Sequence, residues 1–135
     1  MLFRSRTYYV AAEEVDWDYA PLNLDMATGK PFEGTAAAYT QPGPNHIGRV
    51  YRKAVYHEYT DATFTTRKPR PPQDDYMGLL GPTLRAEVGD TIKIVFKNRA
   101  SRVYSMHPHG VFYEKPSEGS MYEEDRKSTR LNSSH

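Results

Sequence analysis

The sequence has no cysteine among its 135 residues. It therefore contains no disulfide and no thiolate that binds a metal ion or acts as a nucleophile. It also has no run of about 18 apolar residues, the length of a membrane span, and no apolar signal core near its start. Gly-rich phosphate loops and nucleophile elbows are missing too, so nothing indicates a nucleotide site or a serine hydrolase.

Both ends of the chain resemble translated sequencing adapter. Residues 125–135 match one translated frame of a common short-read library adapter, and the first residues match the translated reverse complement of its beginning. We expect residues 1–5 and 125–135 to be adapter-derived and residues 6–124 to be one partial domain. The glycosylation sequon at Asn132 and the histidine His135 are therefore left out of functional inference.

The charge balance gives no indication of a nucleic acid partner. The whole chain has 18 basic and 17 acidic residues. Without Arg4, Arg126, Lys127 and Arg130 the basic residues fall to 14, and without Asp125 the acidic residues fall to 16, a net charge of −2. A nucleic-acid-binding domain usually has a strong basic excess, which this segment lacks.

Alternating side chains predict an all-β fold. Ile92, Ile94 and Phe96 share one face of a predicted strand, and no heptad or helical pattern competes. A first strand is also predicted, although its Ala-Ala-Glu-Glu segment suits a helix as well. The predicted strands or extended segments are 6–17, 50–59, 91–98 and 104–113, with irregular connections at 18–44 and 67–75. The expected architecture is a Greek-key β-barrel or sandwich.

Two histidines separated by one residue are the main candidate site. On an extended backbone, His107 and His109 lie on the same face, about 6.6 Å apart along the chain. They can chelate one metal ion with some tilt of the rings, or each can bind a different ion of a close cluster. Pro108 suits an edge or bulge, and Gly110 permits a turn. The alternative is a pair of surface histidines that binds no metal.

Other polar residues are weaker candidates. His46, in a loop, and His57, on a strand, are interpreted as ordinary, partly exposed histidines. Two acidic groups offer hard oxygen ligands for calcium or for iron in transit, although charge runs are usually solvated surface. These groups are Asp74 with Asp75, and Glu118 with Glu123 and Glu124.

Several spaced motifs occur in an order that resembles a known family. They are Tyr8 to Glu14, Trp17 to Pro21, Tyr59 to Asp61, Gly78 to Pro82, Ala86 to Thr91, Phe96 to Asn98 and His107 to Val111. Together they resemble the opening half of an A-type domain of the ceruloplasmin and hephaestin multicopper ferroxidases. The family also includes the A domains of coagulation factors V and VIII, and the resemblance covers residues 6–124.

The resemblance implies an incomplete cupredoxin-like, plastocyanin-like Greek-key β-barrel. It further implies that His107 and His109 are type 2 or type 3 copper ligands of a trinuclear cluster that reduces O2 to water with electrons from Fe(II). The implied partners are the remaining cupredoxin domains of the parent chain, with Fe(II) and O2 as substrates and no nucleic acid. An extracellular parent, secreted or held by a membrane anchor outside this segment, is also implied.

Two consequences limit what the chain does alone. A pair of ligands cannot hold a trinuclear cluster, and the cysteine of a blue-copper site is missing, so we expect the chain alone to be inactive. The alternative function is a non-enzymatic A domain of the clotting-factor kind, which uses the same barrel as a scaffold for protein partners.

Overall fold

The computed structural model describes residues 3–119 and 133–134, and β-strands dominate it. The strands are β1 (Ser5–Asp18), β2 (Leu24–Asp25), β3 (Lys30–Pro31), β4 (Val50–Tyr59), β5 (Thr91–Asn98) and β6 (Ser133–Ser134). The helices of this described part are α1 (Gly34–Thr40) and the 3-10 turns Pro72–Met77 and Lys115–Ser117.

One sheet contains most of the strands, in the order β4-β1-β5-β6. β1 and β5 are parallel, with Val10 opposite Phe96, and β6 is antiparallel to β5. The described strands do not close into a barrel. The prediction of an all-β, cupredoxin-like domain in incomplete form is confirmed. The chain divides into two compact units, one of Met1–Glu14 with Ala54–His135 and the other of Val15–Lys53.

The long strands follow the sequence pattern closely. β4 and β5 have the predicted bounds, and the first segment is the strand β1 rather than the helix that its alanines also permit. Its centre, Val10 to Ala12, is fully buried. Val10 and Ala12 pack with Phe96 on one face, while Ala11 packs with Tyr59 and Phe64 on the other. The first unit therefore has a small core on each side of β1.

The second unit corrects one prediction. Residues 18–44 were expected to be irregular throughout, but they contain the short β2–β3 pair and helix α1. Helix α1 has seven residues and buries none of them, so it has no apolar face that a sequence pattern would reveal. Contacts elsewhere in this unit include the ion pair of Arg49 with Asp18 at 3.1 Å and the edge-on contact of the Tyr19 and Tyr51 rings at 5.6 Å.

The motif Gly78 to Pro82 is fixed by an arginine. The guanidinium of Arg70 donates to the backbone oxygen of Gly78 at 2.9 Å and to that of Leu80. The predicted loop at 67–75 is likewise not irregular throughout, because its last residues begin the 3-10 turn Pro72–Met77. This segment and β4 line a cleft of about 540 Å³, which His107 and His109 do not line.

Candidate metal centre

The histidine pair follows β5 on a segment that packs against the sheet without joining it. Residues 104–113 were predicted to be extended, yet the structure has no strand there. The alternation is nevertheless kept from Tyr104 to His109, although it does not extend to the fully exposed Phe112. Tyr104 and Met106 pack on the cluster that contains Phe96, whereas His107 and His109 are exposed. Alternate side chains therefore face the core and the solvent, as the pattern indicated.

The two imidazole rings lie close to each other. Their centroids are 6.4 Å apart with an angle of 62° between the ring planes. Two imidazoles on a single ion at about 2.0 Å have centroids about 4.5–5 Å apart, so this pair is slightly wide for one ion. The spacing suits two neighbouring ions, or one ion after a small ring rotation. The tyrosine ring of Tyr113 contacts His107 edge-on at 5.8 Å.

No partner for the second nitrogen of either imidazole could be named from the sequence, and the structure provides one for His107. The Nδ1–H of His107 donates to the backbone oxygen of Glu118 at 2.6 Å. Since a carbonyl oxygen only accepts, the proton is on Nδ1, and the neutral ring then has its lone pair on Nε2. A ligating histidine normally has such a partner for its other nitrogen.

Imidazole donors fit copper, but the pair is not a complete site. Within residues 3–119, no three His, Asp or Glu side chains come together closely enough to hold a metal ion. The described residues therefore offer at most two imidazole nitrogens to a metal ion at this pair. The assignment of His107 and His109 as metal ligands remains a prediction.

The weaker candidates do not form metal sites in the described part. His46 is exposed in its loop, and Asp74 and Asp75 lie in the 3-10 turn after Pro71. The carboxylate of Glu118 pairs with Lys115 at 2.5 Å. Its predicted companions, Glu123 and Glu124, are outside the described residues.

His57 belongs to a half-buried polar network that sequence reasoning missed. Its Nδ1 lies 3.7 Å from one carboxylate oxygen of Glu13, which is beyond hydrogen-bond distance. That oxygen accepts a hydrogen bond from the Tyr59 hydroxyl, and the other oxygen of Glu13 accepts one from Arg67. Arg99 donates to the same hydroxyl at 3.1 Å. These residues are far apart in the sequence, so no local spacing indicates the network.

The network shifts two pKa values. Burial lowers the pKa of His57 below 6.5, and the charge of Arg67 lowers it further, against an opposing effect of Glu13. Burial opposes ionisation of Glu13, but Tyr59, Arg67 and His57 outweigh it and hold the pKa of that carboxyl below 4.5. At neutral pH the network therefore contains an ionised Glu13 and a neutral His57.

Comparisons with known proteins agree with this architecture. A multicopper oxidase family profile matches residues 74–125. The chain is 51% identical over 120 residues to human ferroxidase HEPHL1, covering 87% of this chain and 10% of that protein. It is 47% identical to sheep ceruloplasmin and 46% identical to mouse hephaestin, again over 87% of this chain and over 12% and 10% of those proteins.

The fold and these matches define a piece of a multicopper oxidase. More narrowly, the chain belongs to the ceruloplasmin and hephaestin family, as its motifs indicated. It spans about a tenth of the length of the curated relatives that it matches. Membership of this family implies copper as the metal.

Proposed function

We propose that His107 and His109 are copper ligands in a parent ferroxidase that oxidises Fe(II) to Fe(III) and reduces O2 to water. The observation that supports this proposal is the exposed pair of imidazole rings, whose centroids are 6.4 Å apart. Nδ1 of His107 is held by the carbonyl oxygen of Glu118. Copper in the cluster would pass electrons to O2. The two histidines bind and orient it through their ring nitrogens, as type 2 or type 3 ligands.

The remaining donors come from other cupredoxin domains of the parent. The chain has no cysteine, so the electron-accepting blue-copper site also lies elsewhere in that protein. We propose an extracellular parent, secreted or membrane-anchored. Among the described residues, no helix combines the length and apolarity that a membrane crossing requires.

Replacing either histidine should weaken copper binding by the chain. We expect His107→Ala and His109→Ala each to lower Cu(II) affinity at least about 10-fold, the lower end of what even an outer-shell partner contributes. Affinity is measured by competition with a chromophoric chelator. All variants include His135→Ala, which removes the imidazole of the adapter-like tail.

The matched control is His46→Ala, which removes another exposed imidazole, one that lies in the second unit. The Cu(II) affinity of this control should stay within about twofold of that of the chain carrying only His135→Ala, because a lone surface histidine binds copper weakly. Equal losses in all the histidine variants would contradict the assignment and would favour the scaffold function. The complete sequence of the parent separates the same alternatives, since an oxidase needs further His-x-His motifs and a His-Cys-His segment.

The copper-loaded chain should show no ferroxidase turnover of its own. Two imidazoles cannot assemble a cluster that takes up all the electrons needed to reduce O2 to water. The rate of Fe(III) formation and of O2 consumption should therefore match that of the same concentration of free copper. A rate above that of free copper, abolished by His107→Ala, would show that the chain needs no other domain.

A further inference from the structure

Residues 104–113, which we call the histidine segment, are attached to the sheet through Ser105. The hydroxyl of Tyr56, on β4, donates to the backbone oxygen of Ser105 at 2.7 Å. Tyr56 itself packs edge-on against the buried Phe96, with ring centroids 5.6 Å apart. Together with the packing of Tyr104 and Met106 on the core, this contact fixes the backbone immediately before His107.

A compact turn lies on the other side of this segment. It consists of the 3-10 turn Lys115–Ser117 followed by Glu118 and Gly119, and we call it the 115–119 turn. Ser117 is only 5% exposed, and its N–H donates to the oxygen of Glu114 at 2.8 Å. The ion pair of Lys115 with Glu118 spans the turn. The backbone here is therefore held at several points.

Two successive carbonyls of this turn accept hydrogen bonds from alternate side chains of the histidine segment. The hydroxyl of Ser105 donates to the oxygen of Gly119, and Nδ1 of His107 donates to the oxygen of Glu118. The donors are two residues apart, so both point to the same side of the segment. The two bonds together fix the position of the turn and the rotation of the imidazole.

Glycine at position 119 is what allows this approach. A Cβ there would lie 1.7 Å from the backbone oxygen of Met106 and 3.3 Å from the nitrogen of His107. The φ angle of Gly119 is also +67°, in the left-handed region that other residues rarely adopt. Any side chain would push the turn away from the backbone of His107.

We propose that the 115–119 turn positions His107. It holds the ring in the Nδ1–H tautomer, so that Nε2 presents the lone pair to copper. This inference rests on the copper role proposed above. Ser105 and Gly119 are positioning residues, because they act on the metal through His107. A ligand held beforehand in one tautomer and orientation loses less freedom when the metal binds.

The test compares Gly119→Ala with Gly29→Ala. Gly29 has nearly the same φ, +69°, but open space around the position of a Cβ, and it lies in the other unit. Both variants thus add the same methyl group and the same backbone strain. Of these two variants, only Gly119→Ala should push the 115–119 turn away from the histidine segment. Ser105→Ala removes one hydrogen bond without a clash, and Ser105→Thr restores the hydroxyl.

Nitrogen NMR of the imidazoles in the metal-free chain reports the tautomer without any enzyme activity. We expect Gly119→Ala, and in part Ser105→Ala, to shift His107 away from the Nδ1–H form. Copper affinity should fall about 10- to 100-fold in Gly119→Ala, the usual effect of losing an outer-shell partner. Gly29→Ala and Ser105→Thr should keep both the tautomer and the affinity of the unmodified chain.

The inference is overturned if Gly119→Ala and Ser105→Ala leave the tautomer and the affinity unchanged while His107→Ala still weakens copper binding. It is also overturned if Gly29→Ala matches Gly119→Ala, because general strain would then explain both. If His107→Ala does not affect copper binding, the copper role itself fails. The 115–119 turn then has no metal ligand to position, even if Gly119→Ala shifts the tautomer of His107.

Discussion

Phe96→Ala should lower the free energy of unfolding by about 3–5 kcal/mol, the range for truncating a buried aromatic side chain. Phe96 is 5% exposed, packs against Val10 and Ala12, and contacts the ring of Tyr56 edge-on. Its removal leaves a cavity lined by side chains of β1 and β4, and the core is too small to refill it. Urea denaturation followed by far-ultraviolet circular dichroism measures the change.

The matched control is Phe112→Ala, since Phe112 is fully exposed. The same truncation there should change the free energy of unfolding by less than about 0.5 kcal/mol. Domains of this size are typically stable by only about 5–15 kcal/mol, so Phe96→Ala should remove a large part of the total. Equal effects at both positions would show that the core does not lie where β1 and β5 pair.

The same variant should affect the histidine pair. Tyr56 is held by Phe96 and in turn donates to the oxygen of Ser105. Loss of the Phe96 ring therefore loosens the attachment of the segment that carries His107. Copper affinity should fall in Phe96→Ala even where the chain remains folded, but not in Phe112→Ala.

The three long strands could be predicted because each carries its own local pattern. In β5, Ile92, Ile94 and Phe96 recur at every second position and share one face, and a period of two is specific for a strand. Helix α1 could not be predicted, since its seven residues bury no side chain and lie among prolines and glycines. The segment after β5 has the side-chain alternation of a strand but forms no strand hydrogen bonds. The sequence pattern alone cannot distinguish such a segment from a true strand.

The candidate site was only partly predictable for a similar reason. His107 and His109 are visible as a spaced pair of metal-binding side chains. Their support is not visible, because the groups that hold His107 are backbone carbonyls, which any residue can supply. Gly119 is not part of a recognisable sequence motif. A glycine is required there only because the folded chain brings the backbone of Met106 within contact distance.

The Glu13 network illustrates the same limit through long-range contacts. It joins β1, β4 and the residue that follows β5, and only folding brings these together. Family resemblance identified the chain, but it assigned no role to Glu13 or Arg99. Their contacts nevertheless predict how the stability of the chain depends on pH.

Glu13→Gln should lower the free energy of unfolding at pH 7 by about 1.5–3 kcal/mol, the range for hydrogen bonds to a charged group. The carboxylate is only 17% exposed and accepts hydrogen bonds from Tyr59 and Arg67. The amide keeps an acceptor for the tyrosine hydroxyl but loses the charge that faces Arg67. Urea denaturation at a series of pH values measures the effect.

The sign of the pH dependence follows from the two shifted pKa values. Because the pKa of Glu13 is lowered by folding, its contribution is fully present above about pH 4.5 and is lost as the pH falls through the folded value. The pKa of His57 is also lowered, so folding favours its neutral form and stability declines as the pH falls below about 6.5. Acid therefore destabilises the chain in two successive ranges.

The difference in the free energy of unfolding between the unmodified chain and Glu13→Gln should therefore pass through a maximum as the pH is lowered. Between pH 6.5 and 4.5 it should grow slightly, since a protonated His57 keeps a carboxylate partner only when Glu13 is present. Below that range it should shrink, because Glu13 itself becomes protonated. A difference that stays constant down to pH 2 would mean that the charge of Glu13 contributes nothing.

Asp16→Asn is the matched control on the same strand. Asp16 pairs with Arg52 at 3.5 Å, but the two side chains are 66% and 70% exposed. Water screens such a pair, so the same exchange of carboxylate for amide should change stability by less than about 0.5 kcal/mol and should leave the pH profile unaltered. If Asp16→Asn reproduced the maximum of Glu13→Gln, the loss of one negative charge anywhere on β1 would explain the result, and the half-buried network would not.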